Sequence, residues 1–380
     1  YGDVDGGPTR SYMLSMQQAD EQHQRLYQLA FGKRPAEELY DLSQDPQQLQ
    51  NVAALPAYQL VRQRLKIQLE TQLRQSGDPR LVGGDSIFES YPYTGGTVFP
   101  EHFQRKSPRY ATVRLDSFPS AYISPRPVEV LVPVQVSYDQ RFPVLYMFDG
   151  QNLFHSFTGW GGEVNKGWRV HEVLDSLYLA GSIPQMIVVG IYNSQGRMAE
   201  YMPDKPEELL KARIAATEHQ WYQSFKTQPP AGGRQLKFIV EELKPYIDAH
   251  FHTLPGREHT FVAGSSMGGL ISAYAVCEYP EVFGGAACFS THWPPLEGVF
   301  LEYFKTHLPD PATHKFYFDY GTQGLDASYE PFQHIADQAL RERGYRLNQN
   351  WITRRYEGAR HYEDDWHARF HVPIEFLLKQ

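Results

Sequence analysis

Ser266 stands at the centre of Gly264-Ser265-Ser266-Met267-Gly268, a G-x-S-x-G array. The apolar run "HTFVAGSS" leads into it and "GGLISAYAVCEY" leads out in a helical pattern. A strand, a sharp turn of small residues and a helix together expose a serine hydroxyl for nucleophilic attack. Glycines flank it because side chains there would collide. At the start of a helix the backbone carries partial positive charge, which favours an anionic intermediate. The N–H of Met267 is then one donor to an oxyanion.

A serine hydroxyl is a poor nucleophile without a base. His361, in "RRYEGARHYEDDW" after the last strand-like run, is the candidate, with His367 and His371 as rivals further on. Such a base takes the serine proton and returns it to the leaving group, so activity falls on acidification as the imidazole fills. The acid that orients the base belongs after the preceding strand, where "GTQGLDASYE" supplies Asp326. Asp319, inside the strand pattern, and Glu330 are its rivals. The second oxyanion donor is expected in "MFDGQNLF", where Gly150 permits close backbone approach and Gln151 offers its N–H.

Positioning such groups requires a scaffold, and its elements are visible from about residue 110. Eight apolar or β-branched runs, from "ATVRLDSF" to "NWITRRYEG", alternate with helical patterns. This predicts an α/β fold with a mostly parallel eight-stranded sheet covered by helices on both faces. The first two strands have no helix between them, which predicts an antiparallel start. Residues 1–95 differ and read as a small α+β segment. There "LYQLAFG" reads as a strand, and "RPAEELYDLSQDP" as strand or loop. An amphipathic helix follows, with Val61, Leu65, Leu69 and Leu73 on one stripe, stopped by Gly77 and Pro79. The Gly/Tyr/Ser-rich stretch 83–97 is the expected boundary, with the main domain spanning 96–380.

The 380 residues, 41% hydrophobic and 14% aromatic, can bury a sizeable core. The net charge of −8 and the lack of a basic run argue against a nucleic-acid partner. No apolar run approaches the ~18 residues of a membrane span. Tyr1 opens the chain, with no signal peptide in view, so the sequence reads as part of a longer or processed one. Cys277 and Cys288 read as buried free thiols.

Six ordered motifs, "DGQNLF", "VGIYNSQGRMAEYMP", "FIVEELKPYID", the block from "FVAGSSMGG" to "STHWP", "DYGTQGLDASYEP" and "GARHYEDDW", resemble the serine esterase family of esterase D, enterochelin esterases, and feruloyl and acetyl-xylan esterases. The likeness covers roughly residues 108–380. It implies an α/β-hydrolase fold and an esterase that needs no metal or other cofactor. On matching positions it implies Ser266, Asp326 and His361 as the triad, and Gln151 and Met267 as oxyanion donors. One departure is that Gly321 and Asp326 stand further apart than in the G-x-x-D turn of many members. The segment "KRPAEELYDLSQDPQQLQNVAALPAY" with its helix and "SGDPR" resembles the carboxyl-terminal end of type I sulfatases. No C-x-P-S-R-type motif is present, so the likeness implies a sulfatase–esterase fusion and not a sulfatase active site. It suggests an upstream sulfatase domain, with a homo-oligomer as the other partner for the helix stripe, and a periplasmic or secreted location.

The expected substrate is an acyl ester on a decorated carbohydrate, acetyl or feruloyl. A siderophore or thioester hydrolase, and a non-catalytic scaffold module, are the alternatives. Residues 194–233 are too long for an ordinary connection and read as a cap. Trp168, Tyr201 and Trp293 are candidate aromatic walls, beside Trp221 and Tyr222. Arg197 is a candidate for a carboxylate or sulfate, with an ion pair to Glu200 or Asp204 as its other reading.

Overall fold

The computed structural model describes residues 8–16, 20–48, 50–78, 103–134, 136, 140–155, 157–158 and 164–379. The expected boundary at 83–97 lies outside them. The chain divides into two compact units, one holding most of residues 13–97 and the other most of residues 98–380.

Among the described residues of the larger unit, nine strands form one sheet: β1 Phe103–Arg105, β2 Tyr110–Phe118, β3 Arg126–Pro133, β4 Val144–Phe148, β5 Ile187–Ile191, β6 Thr260–Ser265, β7 Gly285–Phe289, β8 Lys315–Gly321 and β9 Trp351–Tyr356. Their spatial order is β1-β2-β3-β5-β4-β6-β7-β8-β9. The last eight strands in sequence are the eight apolar runs; the ninth, β1, is a three-residue edge piece too short to show a pattern. Pairs β1/β2, β2/β3 and β3/β5 are antiparallel, and all later pairs are parallel.

β4, β5, β6 and β7 are buried along their whole length. Alternate side chains serve opposite faces. Val144, Tyr146 and Phe148 enter one core with Val262 and the Met267–Glu278 helix, while Leu145 and Met147 enter another with Phe261, Ala263 and the Val170–Leu179 helix. Two covered faces explain why these strands read as continuous apolar runs. Cys277 and Cys288 are both buried and free, and burial pushes both thiols up.

The mainly parallel arrangement fixes where the chemistry must lie. Every parallel strand ends at the same edge, and Asp149, Asn193, Ser266, Ser290, Thr322 and Glu357 each follow closely on a strand end there.

Among its described residues, the smaller unit has helices and no strand. "LYQLAFG" lies in the helix Glu21–Phe31 instead of a strand. Asp20 caps that helix by accepting from the N–H of His23 at 2.9 Å, and Tyr27 packs on Phe31 one turn later. Local capping and i,i+4 contact suffice here, whereas a strand needs a pairing partner. "RPAEELYDLSQDP" is irregular and is held by Asn51, whose side chain accepts from Leu39 and Ala53 and donates to Glu37. The Gln59–Gln75 helix forms, yet none of its residues is buried within the described structure, and Leu60 is 83% exposed.

Candidate active site

Ser266 has φ 59° and ψ −122°, in the positive-φ region that L-residues seldom adopt. Strand β6 ends at Ser265 and the helix begins at Met267, so the turn has no room to relax. A Cβ on Gly264 would lie 2.6 Å from the backbone of Gly268. The turn is pinned further by Ser266 N–H donating to Phe289 O at 2.9 Å, and by His292 N–H donating to Ser266 O at 3.1 Å. The strain is thus imposed by neighbours on both sides.

His361 and Asp326 meet at 2.5 Å, Nδ1 to Oδ1. Asp326 is buried, and its other oxygen accepts from Gly321 N–H at 2.6 Å and Ser290 Oγ at 2.5 Å. Burial raises its carboxyl, but the bonds from His361, Ser290 and Gly321 outweigh this and hold it below the usual carboxylate range. The rivals stand elsewhere. Asp319 is fully buried in a two-point ion pair with Arg369, and His367 Nδ1 bonds Trp168 O.

The loop after β4 runs beside the first turn of the Met267–Glu278 helix. A Cβ on Gly268 would be 3.3 Å from Phe148 Cβ and 3.5 Å from Asp149 Oδ2. A Cβ on Gly150 would be 2.5 Å from the backbone of Gly190, so only glycine fits there. Gln151 follows in the turn Gly150–Asn152, and its Oε1 accepts from Asn193 N–H at 3.2 Å. Met267 is buried and its N–H opens the helix, where no intrahelical acceptor exists.

The four expected substrate contacts fare differently. Trp168 is 2% exposed, stacked on Trp366 and set against Phe289. Trp293 is 1% exposed, stacked on Phe300 with its indole N–H donating to Gln333. Both are core, not walls: Trp168 belongs to the cluster of Phe289, Trp366 and Phe370, and Trp293 to that of Phe300, Phe304 and Phe318. Tyr201 is fully buried, and its hydroxyl accepts from Asp149 N–H at 3.3 Å. Arg197, 28% exposed, pairs with neither Glu200 nor Asp204. It grips Asp149 with two bonds of 2.7 Å, while Glu200 pairs with Arg126.

Sequence reasoning missed a second group around Ser266. Tyr329 is fully buried, three residues beyond Asp326 in the same turn. Its ring faces both His292, at 5.6 Å, and His361, at 5.9 Å. Its hydroxyl lies 2.6 Å from His292 Nδ1, and Tyr222 OH lies 3.4 Å from His292 Nε2. Burial, with the fields of His361 and Arg197, pushes His292 down to about 3. Burial lifts the Tyr329 phenol far above its ordinary value. The spacing from Asp326 to Tyr329 was the one available signal. Among the described residues, no group of three or more His, Cys, Asp or Glu is placed to hold a metal ion, and no helix is long and apolar enough to cross a membrane.

This arrangement sits in a recognisable lineage. Residues 120–373 match the protein family described as "Putative esterase". The chain is 23% identical over 245 residues to the uncharacterized protein YbbA of Bacillus subtilis, covering 62% of this chain and 85% of that one. It is 26% identical over 188 residues to an endo-1,4-beta-xylanase/feruloyl esterase of Xylanibacter ruminicola, covering 47% of this chain but 19% of that protein. Among solved structures, a ferulic acid esterase aligns with a TM-score of 0.50 at 18% identity, over 71% of this chain and 99% of the other. The CE1 ferulic acid esterase of Anaeromyces mucronatus, free of substrate, aligns with a TM-score of 0.50 at 19% identity, over 76% and 97%. These structures share the α/β-hydrolase fold. The chain belongs to this esterase family, and is a carboxylic ester hydrolase.

Proposed function

We propose that the protein hydrolyses acyl esters through an acyl-serine intermediate, with Ser266 as nucleophile, His361 as base and Asp326 as its orienting acid. The observation that carries this reading is the strained Ser266 backbone set at the strand edge that also holds the half-buried His361 paired to the buried Asp326. With Nδ1 committed to Asp326, the imidazole has Nε2 for the reaction. Ser266 Oγ bonds to the ester carbonyl carbon while its proton passes to Nε2. The resulting oxyanion accepts from the N–H groups of Gln151 and Met267. Collapse breaks the bond to the alcohol, which leaves with the proton from Nε2. Water repeats the sequence and frees the acid. No hydrogen bond joins Ser266 to His361 at rest, so the hydroxyl must turn to the imidazole, as resting sites of this kind commonly require.

The leading substrate is an acetyl or feruloyl ester on a carbohydrate. This reading is supported by the feruloyl esterase and ferulic acid esterase names of the relatives above. Residues 194–233, carrying the exposed Trp221 and buried Tyr222, form the proposed cap that shapes the acyl side. The test is turnover of p-nitrophenyl acetate, then of acetylated and feruloylated oligosaccharides. Ser266→Ala is expected to lower kcat by about 10⁶-fold; wild-type turnover equal to that of the variant would overturn the reading.

A further inference from the structure

We propose that Arg197 and Asp149 are positioning residues for the oxyanion: their ion pair holds the turn that presents Gln151 N–H beside Met267 N–H. The inference rests on Ser266 being the nucleophile and on those two amides receiving the oxyanion. Asp149 leaves β4 with φ 58° and ψ 47°, a left-handed conformation that an aspartate adopts only at a cost. The Gly150–Asn152 turn follows, closed by Asn152 N–H donating to Asp149 O at 2.9 Å. Gln151 N–H has no acceptor among the described residues. The turn lies against the helix of the nucleophile, since a Cβ on Gly268, next to Met267, would stand 3.5 Å from Asp149 Oδ2.

The head of this turn is tied at every residue to the stretch 190–201. Arg197 Nε donates to Asp149 Oδ1 and Nη2 donates to Oδ2, both at 2.7 Å. Asn193 Nδ2 adds a third bond, to Oδ1 at 2.7 Å, and Asn193 N–H holds Gln151 Oε1 at 3.2 Å. Gly150 packs on Gly190 so closely that a Cβ would lie 2.5 Å from its backbone. Asp149 N–H donates to the hydroxyl of Tyr201, one turn beyond Arg197 in the helix Arg197–Tyr201. Residues four apart share a helix face, so this one turn of helix grips Asp149 by side chain and by backbone. The guanidinium lies 5.0 Å from the centre of the Tyr201 ring, and Tyr201 is fully buried against Phe148. A planar guanidinium that meets a carboxylate at two points fixes orientation as well as distance. The charge matters too: a carboxylate this close to the oxyanion opposes negative charge there unless a cation cancels it. Through Arg197 the proposed cap, residues 194–233, is rooted in the oxyanion turn.

The experiment compares the wild type, Arg197→Gln, Asp149→Asn, the double variant and Arg197→Lys. It measures kcat and KM for p-nitrophenyl acetate, inhibition by phenyl trifluoromethyl ketone, and a urea midpoint for each protein. In the inhibited form Ser266 Oγ bonds to the ketone carbon, its proton passes to His361, and the ketone oxygen becomes the oxyanion. Arg197→Gln is expected to lower kcat about 100-fold with KM little changed, and to weaken the ketone by a similar factor, the worth of a misplaced oxyanion donor. Asp149→Asn keeps an oxygen for Asn193 and should cost about tenfold. The double variant should be no slower than Arg197→Gln, because neither side chain acts without the other. Arg197→Lys keeps the charge but loses the two-point grip. It should fall between the wild type and Arg197→Gln, and it reads the same effect if Arg197→Gln folds poorly. Wild-type kcat and inhibition in Arg197→Gln would overturn the proposal. So would a raised KM at unchanged kcat, which would make Arg197 a substrate contact, a fall in kcat without weaker inhibition, or a double loss equal to the product of the single losses. A wild type that neither turns over the ester nor binds the ketone would overturn the nucleophile assignment, and this inference with it.

Discussion

Two histidines meet the ring of Tyr329, and the protein holds them in opposite ways. His361 faces a carboxylate at 2.5 Å and keeps part of its ring in contact with solvent. His292 is buried between two phenols and lies in the field of His361 and Arg197. A carboxylate partner makes an imidazolium tolerable, while a phenol in a dry site does not. The role of each histidine is therefore set by its partner and not by its nearness to Ser266. The first setting suits an imidazole that gains and loses a proton, and the second suits one that stays neutral.

The sharpest way to break this contrast is to delete each ring. His361→Ala and Asp326→Asn are expected to lower kcat for p-nitrophenyl acetate by about 10⁴-fold or more. His292→Gln is expected to cost only about tenfold, since it disturbs one hydrogen bond. Losses of equal size at the two histidines would mean that both move protons, and the distinction would be gone.

That contrast also marks what was legible in the sequence. Ser266 announces itself because its turn needs small residues at fixed spacing between a strand and a helix. Asp326 and His361 follow from the strand ends that precede them. The eight strands were readable because each is rich in apolar, β-branched or aromatic residues, although charged residues interrupt β2, β3, β8 and β9. His292 and Tyr329 carry no such mark. Their meaning comes from the meeting of the β7 and β8 loops, which no local pattern encodes. Trp168 and Trp293 misled for the same reason: a tryptophan after a strand can face a cleft or fold back into the core, and only packing decides. "LYQLAFG" failed differently, because apolar content was read without its cap at Asp20.

A second test concerns what stands behind each histidine. Ser290 Oγ donates to Asp326 and accepts from Trp366 Nε1 at 2.9 Å and Arg369 Nη2 at 3.0 Å, with Asp319 beyond. His292 has no comparable charged backing. Ser290→Ala leaves two buried donors unpaired and takes one bond from the carboxylate. It is expected to cost about 1–3 kcal/mol of stability by urea titration. It should also raise the Asp326 carboxyl, moving the acid limb of activity to higher pH. An unchanged midpoint with an unchanged limb would show that the backing is idle.

The smallest expected effect follows from the sign of the shifts. His292 is driven down to about 3 in the fold, whereas an unfolded histidine titrates near 6.5. Between those values the unfolded chain binds more protons, so stability rises with pH. The contribution is full above about 6.5 and is lost as pH falls towards 3. Asp326, held low, adds its own loss only below the ordinary carboxylate value of 3.8. The window from about pH 4 to 6.5 is therefore where His292 is read. His171, also lowered by burial, acts with the same sign, and Asp319 and Asp337, raised by burial, act with the opposite one. Comparing His292→Gln with the wild type cancels all three. Urea midpoints at pH 4.5 and 7.5 should differ by more in the wild type than in the variant. Equal differences would mean that His292 takes a proton within the fold, and an imidazolium there could not accept from Tyr222 at all.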